Sequence, residues 1–169
     1  MDEITGEIGV APLLARYHAM GGVLDYVFLK AEEESSSELI HRKAALRGMA
    51  MIAGRESRAQ FDDEIRWDGT KLVGEPIDVL AHPMPNGYRP AFFSPPYALR
   101  GSAIEQADLF AAINRYVFGS EPQRAEMFSW STDWSNYFDA GHEWWGAFYR
   151  TIRPHDAGYI AVVGASSSD

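Results

Sequence analysis

The hydrophobic pattern near the N-terminus predicts a helix interrupted by a glycine pair. Apolar residues recur at three- and four-residue steps across residues 13–28, and Pro12 suits the first turn of a helix because that position needs no N–H donor. Gly21 and Gly22 are expected to kink or split the helix, since each glycine weakens a helix by about 1 kcal/mol relative to alanine. Residues 23–29 also fit a buried strand, so both interpretations stay open.

A second helix is predicted after the polar turn at residues 32–37. Ser35 and Glu38 have the spacing of a capping box, moderate helical periodicity continues to Ile52, and Gly54 is the expected stop. This helix carries a basic stripe, which we expect to be a solvated face. The stripe consists of His41, Arg42, Lys43 and Arg47.

The period changes to two in the next segment. Residues 64–67 and 70–73 read as short strands on either side of Asp68-Gly69. An Asp-Gly pair supplies the positive φ angles of a type I′ turn, so a β-hairpin is predicted over residues 64–73.

A proline-rich connection follows from residue 75 to residue 101, with six prolines. Little regular structure is predicted there, except over residues 77–81. The run 91–97 is expected to be extended, because a residue that precedes proline avoids the helical region. Its aromatic side chains would pack over the core as a lid or line a pocket.

The third helix has the clearest boundaries. Ser102 and Glu105 form a capping box, and Gly119 is a typical C-terminal stop. Its apolar residues share one side at 100° per residue. These are Leu109, Phe110, Ile113, Tyr116 and Val117. The few charged residues predict a largely buried helix against which a sheet packs.

A terminal β-hairpin completes the pattern. Residues 143–153 alternate, residues 154–158 form a turn, and the β-branched run 159–163 is typical of a buried strand. Apolar side chains on both faces predict central places in the sheet, with Trp145 and Tyr149 directed towards the helix at 103–118.

The predicted fold is therefore α+β, in a single domain over residues 1–169: N-terminal helices and a largely buried central helix on a small antiparallel sheet that ends in the hairpin.

Composition and charge narrow the range of partners. The 169 residues are 46% hydrophobic and 23% charged, which are ordinary globular proportions. A net charge of −9 argues against nucleic acid and anionic membranes as partners, since proteins that bind such polyanions rely on clustered Lys and Arg. The lack of cysteine excludes disulfides and thiol catalysis. An acidic N-terminus and no long apolar run predict a soluble, cytoplasmic protein.

The candidate chemistry lies in the aromatic stretch from residue 128 to residue 149. Four ionisable residues stand between its aromatic side chains: Asp133, Asp139, His142 and Glu143. A carboxylate beside His142 would raise the pKa of the imidazole and suit it to general-base catalysis, although turn capping explains the same residues. The pair His142-Glu143 begins like the zinc motif HExxH, but Gly146 replaces the second histidine. The zinc motif is therefore rejected and no metal is predicted. Phosphate-binding loops are absent from the sequence, so no nucleotide cofactor is predicted either.

The aromatic residues themselves support a binding function. Tryptophan and tyrosine are frequent at interaction hot spots, and we expect Trp130 and Trp134 to be partly exposed at a loop edge. The predicted site combines the 128–145 loop with the 92–97 lid, and its binding residues are Trp130, Trp134, Tyr137, Trp144, Phe93 and Tyr97. The leading hypothesis is a binding protein for a protein partner or a neutral small molecule. The alternatives are a small hydrolase based on His142 and a structural subunit of a homo-oligomer.

Overall fold

The computed structural model of the chain describes residues 1–32, 36–55, 64–78, 87–142 and 147–166. The helices in these ranges are α1 (Ala11–Ala19), α2 (Ser37–Ala53), α3 (Tyr88–Phe93), α4 (Ala103–Phe118) and α5 (Asp139–His142). The strands are β1 (Asp25–Lys30), β2 (Gly74–Ile77), β3 (Glu126–Trp130), β4 (Phe148–Arg153) and β5 (Tyr159–Ala165). The predicted α+β class is confirmed.

The strands form an antiparallel sheet in the order β1-β5-β4-β3-β2. β4 and β5 pair with Thr151 opposite Val162, which confirms the predicted terminal hairpin and its central place. Side chains alternate between the two faces of each strand. On β4, Phe148 and Ile152 enter one hydrophobic core, whereas Tyr149 enters another on the opposite face.

The two cores are covered by different helices. The core on what we call the α4 face includes Tyr17 of α1, Phe92 of α3 and Phe110 of α4. Phe92 stacks on Tyr17 with ring centroids 4.4 Å apart and meets Phe110 edge-on at 4.8 Å. The core on the α2 face is covered by α2 and by the segment 131–142, and it includes Met49, Trp134 and Phe138.

The ends of α4 and its buried side follow the sequence prediction. The Ser102 hydroxyl accepts from the backbone N–H of Glu105, the Glu105 carboxylate accepts from the N–H of Ser102, and Gly119 ends the helix. The side facing the sheet buries Leu109, Phe110, Ile113, Val117 and Phe118. Side chains on the other side, such as Ile104, are exposed.

The start of α2 and part of its surface differ from the prediction. Ser36 caps the helix by accepting from the N–H of Leu39, whereas Ser35 lies outside the described residues. The helix ends before Gly54, as predicted. The prediction of a solvated basic stripe is wrong for His41, which is fully buried. Helical periodicity placed this side chain among charged neighbours, but it faces the sheet.

The glycine pair ends the first helix. α1 stops at Ala19, and the strand interpretation of residues 23–29 is confirmed by β1. β1 pairs with β5, with Tyr26 opposite Val163, and Tyr26 to Leu29 are fully buried. A strand buried on both faces is continuously apolar and therefore resembles a helix in sequence.

The predicted hairpin over residues 64–73 is wrong. The φ angle of Gly69 is not positive, so the Asp68-Gly69 pair cannot form a type I′ turn. Instead, the Asp68 carboxylate accepts from the N–H of Thr70 at 3.0 Å and caps a 3-10 turn at residues 69–71. Arg42 of α2 holds this turn by donating to the carbonyl oxygens of Gly69 and Leu72.

The proline-rich connection also contains more structure than predicted. β2 begins at Gly74 and pairs with β3, whereas the predicted segment 77–81 lies mostly outside the described residues. The extended conformation of residues 91–97 is wrong over its first part, where α3 forms. Pro90 is compatible with α3 because it lies in the first turn, where no intrahelical N–H donor is needed.

Among the described helices, none is long and apolar enough to cross a membrane.

The approach of α2 to the sheet generates a testable prediction. A Cβ on Gly48 would lie 2.8 Å from a Val162 methyl carbon and 2.9 Å from the Tyr149 hydroxyl. We expect Gly48→Ala to lower the free energy of unfolding by roughly 1 kcal/mol or more, because overpacking a rigid core costs about 1–3 kcal/mol and outweighs the gain in helix propensity. Urea denaturation would measure this change.

Gly6→Ala is the matched control, because a Cβ at Gly6 meets no atom within 4 Å. A Gly48→Ala protein as stable as the Gly6→Ala protein would contradict the close packing of α2 on β4 and β5.

Candidate functional site

The predicted aromatic binding residues are mostly core residues. Trp130 and Trp134 are 5% and 2% exposed, so the expectation that they are partly exposed is wrong. The indole N–H of Trp134 donates to the Ser131 carbonyl oxygen at 2.7 Å, and the Tyr137 hydroxyl donates to Asp25 at 2.8 Å. Since the indole N–H and the phenol hydroxyl both have hydrogen-bond partners inside the protein, these rings can be buried in the α2-face core with little loss of stability.

The two halves of the predicted site lie on opposite faces of the sheet. Phe93 packs against the α4-face core, and Tyr97, which is 80% exposed, lies in the connection between α3 and α4. Trp130, Trp134 and Tyr137 belong to the α2-face core. The structure therefore does not bring the lid and the loop together. Trp144, Trp145 and Glu143 lie outside the described residues.

Tyr149 faces a different helix from the one predicted. Its hydroxyl donates to the carbonyl oxygen of Ala45 in α2 at 2.8 Å, and its ring packs in the α2-face core rather than against α4. Burial raises the pKa of this phenol well above its ordinary value, so it stays a neutral donor. The alternation along β4 was predicted correctly, but alternation does not indicate which helix covers which face.

The predicted catalytic residues are only partly assembled. His142 ends α5, and its Nε2 lies 2.8 Å from the Thr132 hydroxyl. Among the described residues, neither Asp133 nor Asp139 contacts the imidazole. No group of three or more His, Asp or Glu side chains in the described part of the chain is placed to hold a metal ion. The arrangement at His142 is therefore a hydroxyl–imidazole pair.

Asp133 and Asp139 meet instead in an open groove of about 380 Å³ on the same side of the protein as α5. We call it the Trp67 groove. It is lined by Arg66, Trp67, Asp68, Asp133, Trp134, Ser135, Asn136 and Asp139. The Trp67 side chain is 41% exposed, in contrast to the buried Trp130 and Trp134.

Backbone and side-chain hydrogen bonds fasten the two walls of the Trp67 groove to each other. Trp67 and Ser135 form an isolated antiparallel bridge, and the Asp68 N–H donates to the Trp134 carbonyl oxygen at 2.8 Å. The Asn136 side chain accepts from the Arg66 N–H at 2.7 Å and donates to the Glu64 carbonyl oxygen at 3.1 Å. Because these bonds involve backbone atoms of both segments, the groove is held in one shape before any ligand arrives.

The charges in the Trp67 groove are mainly negative. Three aspartates, Asp68, Asp133 and Asp139, stand against one arginine, Arg66. Hydrogen bonds from the Thr70 hydroxyl and N–H hold the pKa of Asp68 below its ordinary value, so this carboxylate is ionised at neutral pH. The groove thus combines an exposed indole with a surplus of negative charge. Sequence reasoning missed Trp67 and Asp68 because it assigned both to a hairpin.

A buried polar network lies between the first half of α2 and the sheet. The Trp130 indole N–H donates to the Thr151 hydroxyl at 2.9 Å, and this hydroxyl lies 2.8 Å from His41 Nδ1. His41 Nε2 has no hydrogen-bond partner among the described residues and lies 3.8 Å from a Glu126 carboxylate oxygen. Burial lowers the pKa of His41 to about 4, partly offset by Glu126, and Arg153 lowers it further.

His41 makes stability depend on pH. The unfolded chain binds a proton to His41 near pH 6.5 and the folded chain only near pH 4, so the free energy of unfolding falls as the pH decreases between these values. We expect a loss of about 2 kcal/mol from this residue between pH 7.5 and pH 5. Denaturation of the His41→Gln protein, in which this loss disappears, would measure the contribution.

The exposed His155 provides the control, since its replacement by glutamine leaves the buried network intact. An equal pH dependence in the His41→Gln and wild-type proteins would contradict the assignment of the effect to His41.

Comparisons of the chain with models of protein families, with curated proteins and with solved structures return no match. The functional evidence therefore consists of the geometry and charge of the residues described above.

Proposed function

We propose that the protein is a binding protein that recognises a basic segment of a partner protein in the Trp67 groove. The observation that carries this proposal is the 41% exposed side chain of Trp67 at the wall of a groove that holds three carboxylates. An exposed tryptophan in a prearranged acidic setting is a favourable receptor for a lysine or arginine side chain.

The chemistry of the groove supports a cationic rather than a neutral occupant. The face of an indole attracts an ammonium or guanidinium group by about 0.5–2 kcal/mol, depending on how well the pair is desolvated. Asp68, Asp133 and Asp139 would add charge-assisted hydrogen bonds to the same group. The net charge of −9 would also accelerate the approach of a basic partner.

The shape of the groove supports a protein rather than a small molecule as the ligand. The Trp67 groove, of about 380 Å³, is open to solvent, so it would accept one or two side chains of a polypeptide but would not bury most of the surface of a small molecule. Val73, which is 67% exposed, lies outside the groove but beside the segment that leads to Asp133, because its carbonyl oxygen accepts from the N–H of Ser131 at 2.7 Å. Contacts beyond the groove would therefore be available to a polypeptide.

A second candidate function rests on the contact between Thr132 and His142. A hydroxyl group 2.8 Å from an imidazole nitrogen has the geometry of a nucleophile and its general base. A small hydrolase of this kind would use Thr132 for attack and His142 for proton transfer. It differs from the predicted hydrolase, in which a carboxylate assists His142.

We expect the Trp67 groove to bind a fluorescein-labelled peptide of alternating lysine, arginine and glycine. Trp67→Ala should weaken binding by about 3- to 30-fold, the equivalent of one cation–π contact. Asp133→Asn should weaken it about fivefold through the loss of one partly exposed charge pair. Fluorescence anisotropy would give the dissociation constants.

Two matched variants test whether the groove or the net charge is responsible. Tyr97→Ala removes an aromatic ring that is 80% exposed in the connection between α3 and α4, and Asp108→Asn removes an exposed carboxylate from α4. Neither should change the affinity. If all four variants bind the peptide alike, or if the wild-type protein does not bind it, the proposal is wrong.

Size-exclusion chromatography of the free protein tests the homo-oligomer alternative.

For the hydrolase candidate, we expect hydrolysis of chromogenic esters that is lost in both His142→Ala and Thr132→Val and retained in His155→Ala. Activity that survives in His142→Ala would exclude this role.

A further inference from the structure

A second groove lies on the α4 face, at the other side of the sheet from the Trp67 groove. It is bounded by the C-terminal half of α4 and by the turn between β4 and β5, and its volume is about 820 Å³. Small-molecule sites commonly measure ~300–1,000 Å³ and have mostly apolar walls. The apolar walls here include Phe118, Pro122, Ala157 and the ring of Tyr159. We call it the α4 groove.

A fixed carboxylate stands at one end of the α4 groove. Asp156 accepts from both the N–H and the hydroxyl of Ser120, and both bonds go to the same oxygen, Oδ2. The other oxygen, Oδ1, keeps its capacity to accept. The two bonds from Ser120 hold the pKa of Asp156 below its ordinary value, so the group is charged at neutral pH.

The position of Asp156 depends on Gly119. This residue has a φ of +76°, which favours glycine, and a Cβ on it would lie 2.2 Å from Asp156 Oδ1 and 2.9 Å from Pro154 Cβ. The end of α4 thus approaches the β4–β5 turn closely because a glycine stands there. The carboxylate is held at the end of α4 by its two hydrogen bonds from Ser120.

Donor groups line the same groove along α4. Arg115 forms no ion pair or hydrogen bond with Asp156 or with any other described residue, so its guanidinium is available. The side-chain oxygen of Asn114 accepts from the Tyr88 hydroxyl at 2.7 Å, which directs this amide while its N–H₂ group has no partner among the described residues. The hydroxyl of Tyr159 donates to the Tyr116 carbonyl oxygen at 2.9 Å and fixes the ring that forms one wall.

We propose that the α4 groove binds a small zwitterion with an apolar body, whose ammonium group pairs with Asp156 and whose carboxylate pairs with Arg115. Opposite charges that line one apolar groove without pairing with each other leave space for a ligand that carries both complements. A free apolar amino acid and a short apolar peptide share this chemistry. A neutral apolar ligand would fit the walls but would make no use of the immobilised carboxylate.

The first test compares ligands that differ in one charge. L-phenylalanine and the dipeptide leucyl-phenylalanine are titrated by calorimetry at millimolar concentrations beside N-acetyl-L-phenylalanine, which lacks the ammonium group, and L-phenylalanine amide, which lacks the carboxylate. We expect at least one zwitterion to bind and each blocked analogue to bind at least about 10-fold more weakly, since each loses a charge-assisted contact. Preference for the amino acid or for the dipeptide identifies the source of the ligand.

The second test uses variants of the groove. Asp156→Asn keeps an acceptor for Ser120 but removes the charge, and Arg115→Gln changes an exposed side chain without a described partner, so both proteins should fold, which circular dichroism would check. Each should weaken binding of the preferred zwitterion about 10-fold, whereas Asp108→Asn on the same helix should leave it unchanged. The proposal is overturned if neither zwitterion binds, if a blocked analogue binds as well as its parent, or if Arg115→Gln binds like the wild type.

Discussion

The alternation of side chains along β5 is the constraint on which both cores depend. Ile160 and Val162 enter the α2-face core, whereas Ala161 and Val163 enter the α4-face core, and all four are fully buried. β1 and β4 flank this strand and follow the same division, with paired residues on the same face. A slip of one residue in either pairing would move each side chain into the wrong core, so burial on both faces specifies the register.

Burial of β4 and β5 on both faces also determines what the covering helices must be like. α2 approaches the sheet so closely that Gly48 has no space for a Cβ. A backbone carbonyl oxygen of α2 accepts a hydrogen bond from the Tyr149 hydroxyl. Polar groups beneath α2 can be buried because they form hydrogen bonds with one another, as Trp130, Thr151 and His41 do. Burial of His41 lowers the pKa of its imidazole to about 4, so the ring is neutral in the folded protein at neutral pH.

The two grooves have a common construction. Each lies at the edge of a core and is bordered by irregular segments that side chains fasten to backbone atoms: Asn136 and Ser135 in one case and Asp156 with Ser120 in the other. Neither groove needs a loop to close before it can accept a ligand. Their ligands would differ, because one groove presents an indole among carboxylates and the other separates a carboxylate from a guanidinium across an apolar wall.

Local chemistry in the sequence determined the elements, and the tertiary structure decided what they cover. The Ser102–Glu105 capping box, the stops at Gly54 and Gly119, and the β-branched run in β5 act through neighbours in the chain, so they could be read from the sequence. The Asp68-Gly69 pair failed as a hairpin signal because Arg42 and the Trp134 carbonyl oxygen, distant in sequence, hold its backbone in another conformation.

The candidate site shows the same division. The sequence by itself identified Asp133, Asp139 and His142 as ionisable groups among aromatic residues, and it suggested a carboxylate beside the imidazole. Only the tertiary structure decided that, of the described tryptophans, Trp67 is accessible next to these aspartates while Trp130 and Trp134 are buried. The physical reason is that periodicity reports which residues share one side of an element, whereas exposure depends on which other element packs against that side.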